Sequence, residues 1–284
     1  MQIIIPMAGI GERFVESGYI TPKPLIKVSG RPILEYVCNM FDTNNDEFIF
    51  ICNYEHLSDG TMEHAIRSMA KNVKILSMPQ HKLGPVYTVK RAYLDIENNK
   101  PAIIAYCDNP FIWDYNHFKD YINRNMVDGA LVSHSGFHPQ TLSSTLMAHL
   151  KIDTNDNRDI NRVLEVKEKS CYTDDPQNEH ASSGVYYFRY GSLIKKYCDL
   201  AIERKLKYNN EYYVTLIFNL MIQDGLYIIS YLNDLVLALG TPAEVENFQS
   251  WQKILEGGQV TNEQELINCY RYWLRFKNHP CCIL

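Results

Sequence analysis

Short apolar runs recur along the first half of the chain. Each is followed by a stretch whose apolar residues fall three and four apart. Gln2-Ile3-Ile4-Ile5-Pro6 is the first run, and three isoleucines in a row read as a strand buried on both faces. Residues 47–52, 73–76 and 102–106 repeat the pattern. Between the first two runs, Ile33, Tyr36, Val37 and Met40 recur at helical spacing behind Pro32, a residue suited to a first helical turn. A second helix is predicted from the polar start Ser58-Asp59 through Met69, and a third after Val86 through about Leu94. Strand, helix, strand, helix, strand is the rhythm of a doubly wound parallel sheet.

The second half changes style. Residues 114–125 read as a helix and 129–133 as a strand, and 135–144 are loop-like. Residues 145–151 and 162–166 read as paired strands around the polar turn 153–160. A strand over 181–188 precedes helices at 191–204 and 212–224, with late strands at 226–231 and 236–239 and a helix over 243–254. After Gly257-Gly258, residues 262–276 read as a terminal helix. Its stripe of Leu266, Cys269, Tyr270, Trp273 and Leu274 is a packing face or a dimer contact. The expected architecture is α/β, a doubly wound, mostly parallel (mixed) sheet with a strand-rich second half.

A formal net charge of -5 with no basic stripe sets nucleic acid aside as a partner. The eight cysteines form no doubled C-x-x-C pattern, so a structural zinc site is not expected. No secretory leader and no apolar run of about 18 residues stands out, which points to a reducing, cytoplasmic setting with free thiols. Cys281-Cys282-Ile283-Leu284 fits a C-a-a-X ending. No polybasic stretch precedes it, so a chance match is the preferred reading.

The chemistry concentrates near the start. Met7-Ala8-Gly9-Ile10-Gly11-Glu12-Arg13-Phe14 follows the first strand, and Pro22-Lys23-Pro24-Leu25 comes soon after. A strand running into Gly-x-Gly brings backbone N–H groups close to a phosphate. Arg13 and Lys23 add the charge a polyphosphate needs. The loop lacks the third glycine of the dinucleotide fingerprint and the Gly-Lys-Ser/Thr of a Walker loop. Ligands of such sheets bind beyond the carboxyl ends of the strands, so the loop from Met78 to Val86 belongs near the first one. Asp108, just past the fourth strand, is a carboxylate well placed for Mg²⁺; the alternative is a helix cap for the segment near Asp114.

Gly9-x-Gly11-x-Arg13 with Pro22-Lys23-Pro24 resembles the signature of the sugar-phosphate nucleotidylyltransferases, and the resemblance extends over about residues 1–248. It implies a nucleotidylyltransferase domain over 1–254, with a nucleotide-binding half at about 1–134, an acceptor-binding half at about 135–254 and a helical tail at 255–284. It implies a Rossmann-like sheet and transfer of NMP from an NTP to a sugar 1-phosphate, with release of pyrophosphate, for surface polysaccharide or glycan synthesis. Arg13, Lys23 and Asp108 take the catalytic places, with Asp108 the ligand of Mg²⁺. Ala8, Gly9, Gly11, Glu12, Gln80, Gly84 and Pro85 take the nucleotide. Glu168, Lys169, Gly184 and Glu211 take the acceptor, and Glu211 reads equally well as a charge at a helix start. The partners implied are an NTP and a phosphorylated small molecule, with no membrane span and a possible homo-oligomer.

The sequence departs from the family pattern at several points. Cys107 stands where Gly is usual and Ser170 where Pro is usual. Gly240-Thr241-Pro242 matches the end of the catalytic half, yet Ala238 occupies the place where many members carry a second metal-binding Asp. Asp108 with phosphates and waters, a substitute carboxylate, or weak catalysis are the readings left open. The rival functions are a cytidylyltransferase for a polyol or choline-type phosphate, a binding-only relative, and a glycosyltransferase. The last is ranked lowest because Cys107-Asp108-Asn109-Pro110 holds no Asp-x-Asp.

Overall fold

The computed structural model describes residues 1–136, 147–155, 160–233 and 235–257. Among them runs one nine-stranded mixed sheet. Its strands are β1 (Gln2–Met7), β2 (Glu47–Asn53), β3 (Asn72–Met78), β4 (Ala102–Ala105), β5 (Gly129–His134), β6 (His149–Ile152), β7 (Val163–Lys167), β8 (His180–Phe188) and β9 (Ile228–Leu232). The order is β7-β6-β8-β4-β1-β2-β3, with β5 beside β8 and β9 beside β5. β4, β1, β2 and β3 are mutually parallel. β8 runs antiparallel to β4, β5 and β6, and so joins the strand-rich half to the parallel half.

The triple isoleucine explains its own burial. β1 lies in the middle of the sheet, so both faces are covered. Ile3 and Ile5 pack with Leu34, Phe48 and Phe50 on one face, and Ile4 packs with Ile49, Val86 and Ile104 on the other. All three isoleucines are fully buried, each worth about 1.5–3 kcal/mol of transfer free energy. Helices Ile33–Cys38, Thr61–Met69 and Tyr115–Arg124 cover the first face. Helices Pro85–Val89, Gly191–Glu203 and Val214–Gln223 cover the second.

Several boundaries differ from the sequence reading, each for a local reason. The helix expected through Leu94 ends at Val89 and tightens into a 3-10 turn at Lys90–Ala92, leaving Leu94 99% exposed. The helix expected from 212 begins at Val214, because the backbone of Tyr212 is bonded to Leu83 and Val86 instead. The strand expected over 236–239 is only Leu235–Val236, paired with Phe111–Ile112. Past it, Leu237 N–H donates to Pro110 O at 2.8 Å and Leu239 N–H to Asp108 O at 3.0 Å. The helix expected over 243–254 runs Pro242–Gly257. Asp114, not Asp108, caps the Tyr115–Arg124 helix, accepting from His117 N–H at 2.8 Å. The 262–276 helix, the Cys-Cys-Ile-Leu ending, most of the 135–144 loop, and Asp234, the acidic residue four positions before Ala238, lie outside the described residues. Among the described residues no helix is long and apolar enough to cross a membrane.

Candidate active site

The parallel strands end at one edge of the sheet, where a cleft of about 650 Å³ opens. Strand order sorts its lining into three zones. The ends of β1 and β4 supply the middle, loops after β2 and β3 one side, and the strands around β8 the other.

In the middle, Gly11 caps the short helix Glu12–Glu16 and its carbonyl accepts from Phe14 N–H at 2.9 Å. Phe14 is 2% exposed and anchors the loop, while Arg13 stays exposed along the cleft. A Cβ added at Gly9 would meet nothing within 4 Å, so the loop backbone stands open. Ala8 lies beneath it, 1% exposed, among core residues. Lys23 forms an ion pair with Asp108, both side chains largely covered. Glu12 pairs at 2.6 Å with Lys82, which belongs to the loop after β3. Burial, reinforced by the Asp108 charge, pushes the neighbouring Cys107 thiol up to about 12, so it stays protonated near neutral pH.

On the β2–β3 side the lining includes His56, His81, Gly84, Pro85 and Thr88. Gln80 is exposed and is not among the lining residues; His81 occupies the cleft wall next to it. Its Nδ1 accepts from Leu83 N–H at 3.1 Å, and its Nε2 lies 3.0 Å from Thr88 Oγ1. Burial holds the imidazoles of His56 and His81 below their usual range, favouring the neutral form. Neither histidine was singled out from the sequence, where a lone His between a strand and a helix carries no periodic signal.

The third zone gathers Glu168, Lys169, Gly184 and Glu211, with Tyr106, Tyr186, Tyr213 and Thr215. Glu168 is 8% exposed and accepts from the Thr215 hydroxyl. Burial raises its carboxyl, opposed by the Thr215 hydrogen bond and the Lys169 charge. Lys169 Nζ donates to Tyr213 Oη at 2.8 Å and lies 4.8 Å from that ring's centre. Glu211 closes a tight turn on Tyr208, with the two residues exchanging backbone bonds at 2.9 and 3.0 Å. It precedes the Val214–Gln223 helix and lines the cleft. Gly184 sits where the β8 register shifts, at φ 82°, and an added Cβ would lie 3.1 Å from Asn109 Nδ2. This backbone requires glycine whatever the ligand.

Ala238 is 8% exposed beside a small recess of about 90 Å³ that also involves Arg13, Asp108, Ser182 and Glu244. Glu244 brings a second carboxylate there. The Cβ position of Gly240 would lie 3.1 Å from Asp108 Oδ2 and 3.3 Å from Glu244 Oε2. Burial and, after it, the Asp108 charge raise the Glu244 carboxyl. A capping box holds it: Thr241 N–H donates to Glu244 Oε2 at 2.9 Å, and Glu244 N–H to Thr241 Oγ1 at 3.2 Å. Glu244 was not singled out from the sequence, where the Thr241-x-x-Glu244 spacing of a capping box is the signal that could have found it.

A family model described as the MobA-like NTP transferase domain matches residues 3–171, more than half of the chain. The glucose-1-phosphate cytidylyltransferases of Salmonella typhimurium and Salmonella typhi are each 29% identical over 83 residues, 24% of this chain and 32% of theirs. The match thus spans about a third of the length of those relatives. Among solved structures, a nucleoside-diphosphate-sugar pyrophosphorylase from Vibrio cholerae superposes with a TM-score of 0.68 at 21% identity, covering 87% of this chain and 99% of that one. The inositol-1-phosphate CTP transferase of T. maritima gives 0.65 at 13%, covering 98% and 96%. A UDP-glucose pyrophosphorylase in complex with UDP-glucose gives 0.69 at 14%, covering 89% and 98%. At such identities the structural likeness is one of fold, and the family rests on the matched sequence: this chain belongs to the MobA-like NTP transferase domain family.

Proposed function

We propose that this protein transfers a nucleoside monophosphate from an NTP to a sugar 1-phosphate, releasing pyrophosphate. The observation that carries the reading is the position of the Lys23–Asp108 pair. It lies between a wall built on the loop after β3 and a polar, tyrosine-rich wall built around β8. A triphosphate lying along the Gly9–Arg13 loop puts its α-phosphorus at that pair, its base toward His81 and Gly84, and the acceptor toward Glu168 and Lys169.

An acceptor phosphate oxygen attacks the α-phosphorus in line, the bond to the β-phosphate oxygen breaks, and pyrophosphate leaves. The acceptor phosphate is already an anionic nucleophile, so no general base is needed. The protein's work is positioning and neutralising charge. Arg13 meets the leaving pyrophosphate. Lys23 neutralises the α-phosphate, exchanging its partner Asp108 for the incoming anion. Glu168 and Glu211 accept from acceptor hydroxyls, and Lys169 faces the acceptor phosphate.

Among the described residues no group of three or more His, Cys, Asp or Glu gathers around a metal site. The two carboxylates facing Gly240 still fit Mg²⁺, a hard ion that completes its shell with phosphate and water oxygens. Asp108 and Glu244 are the residues that would hold it, and it would neutralise charge on the phosphate oxygens when bound. Glu244 thus stands in for the carboxylate missing at Ala238.

The test is pyrophosphate release with Mg²⁺ across CTP, UTP, dTTP, GTP and ATP, each against sugar 1-phosphates and polyol or choline-type phosphates. Release with one nucleotide and a sugar 1-phosphate is the expected result. Release only with a non-sugar phosphate would replace the acceptor class. NTP binding with no release from any pair would overturn the reading in favour of a binding-only relative.

A further inference from the structure

The loop after β3 and the segment before the Val214–Gln223 helix belong to opposite walls of the cleft, yet they are bonded as one unit. Leu83 O accepts from Tyr212 N–H at 2.9 Å, and Tyr212 O accepts from Val86 N–H at 3.1 Å. Gly84 lies so close that an added Cβ would be 2.8 Å from both Tyr212 N and Tyr212 O. Glu211 and Tyr213, the neighbours of Tyr212, both line the acceptor wall. Within the loop, His81 makes a second set of bonds. Its Nδ1 accepts from Leu83 N–H at 3.1 Å, so the ring proton is on Nε2, which donates to Thr88 Oγ1 at 3.0 Å. The Thr88 hydroxyl in turn donates to Gly84 O at 3.4 Å. One neutral imidazole therefore joins Leu83, Thr88 and Gly84.

We propose that His81 is a positioning residue that locks the nucleotide-side loop onto the Glu211–Tyr213 segment, so that nucleotide and acceptor sites are built together. The assignment of the two walls to those substrates rests on the reading given under Proposed function; the lock itself does not. Its consequence is coupling. Ordering the loop around a nucleotide orders Tyr212, and with it Glu211 and Tyr213, before the acceptor arrives. Without the lock, each substrate binds a segment it must first order.

The test uses the full chain with H81F, which keeps a ring but removes both hydrogen bonds, and H81Q, whose amide can accept and donate in place of Nδ1 and Nε2. The first readout is amide exchange by NMR on the protein without substrates. H81F is expected to speed exchange at Leu83 and Tyr212 together, with H81Q restoring much of the protection and the β1 amides unchanged in both. Faster exchange at Leu83 with Tyr212 as in wild type would overturn the proposal, as would wild-type protection at both. The second readout is substrate binding. H81F should raise the NTP dissociation constant and the acceptor KM, each by about tenfold to a hundredfold, the range for leaving a buried donor unpaired. A change confined to the nucleotide would overturn the coupling. If the wild-type protein binds no NTP, the nucleotide reading fails while the exchange result still decides the lock.

Discussion

Gly84→Ala is the substitution whose cost the structure fixes most tightly. Gly84 has φ 87° and ψ 174°, a region essentially reserved for glycine. Forcing an L residue into it costs about 1–3 kcal/mol. The new methyl would also lie 2.8 Å from two backbone atoms of Tyr212, against 3.4 Å at the near limit of ordinary contact, a shortfall of about 0.6 Å. Neither atom yields cheaply, because Tyr212 N–H and C=O are the groups bonded to Leu83 and Val86. Overpacking of this kind costs about another 1–3 kcal/mol. The sum, about 2–6 kcal/mol, is a large part of the stability of an ordinary domain. Thermal unfolding should show a fall in Tm of about 3 °C or more. If the loop peels away from Tyr212 to relieve the clash, the fall is smaller and the affinities for NTP and acceptor drop instead. Gly9→Ala is the control, since its Cβ meets nothing within 4 Å and its φ is not positive, and its Tm should stay close to wild type. A G84A protein with wild-type Tm and wild-type affinity for both substrates would refute the reasoning.

Other substitutions separate the roles in the middle of the cleft. Asp108→Asn should abolish Mg²⁺-dependent turnover with circular dichroism unchanged; full activity would remove Asp108 from the site. Glu244→Gln keeps the capping box, because a Gln amide also accepts from Thr241 N–H. It should therefore leave Tm unchanged while weakening Mn²⁺ binding measured by electron paramagnetic resonance, and unchanged Mn²⁺ binding would leave Glu244 a cap only. Arg13→Ala should lower kcat by several powers of ten, each tenfold being about 1.4 kcal/mol of transition-state stabilisation; a change confined to KM would make Arg13 a binding residue only. Burial raises the Glu168 carboxyl above its unfolded value, so the stability it contributes is complete below about pH 4.3 and is lost as pH rises through the folded value. Glu168→Gln, which can still accept from Thr215, should match wild type at acid pH and exceed it in Tm at neutral pH, with a raised acceptor KM. Equal melting curves at both pH values would contradict the buried-carboxylate argument.

Much of this protein was legible in its sequence. Ile3-Ile4-Ile5 had to be a central strand, because only a strand covered on both faces buries three consecutive isoleucines. The alternation of apolar runs with helical spacing set the doubly wound sheet, and Gly9, Gly11, Arg13, Lys23 and Asp108 fell at the strand ends where such sheets bind ligands. These features are local, written within a strand and the loop that leaves it.

What only the tertiary structure decided depends on residues far apart in the chain. The pairing of Lys23 with Asp108, 85 positions away, follows from β1 and β4 lying side by side. Glu244 reaches Asp108 because residues 237–239 run back along 108–110. His81 rather than Gln80 faces the cleft because backbone direction in a loop is set by what the loop packs against, here Tyr212. Gly184 looked like room for a ligand, and the fold gives it a second reason, a register shift pressed against Asn109. Hydrophobic periodicity specifies which face of an element is buried; which polar groups then meet across a cleft is fixed only when strand order brings them there.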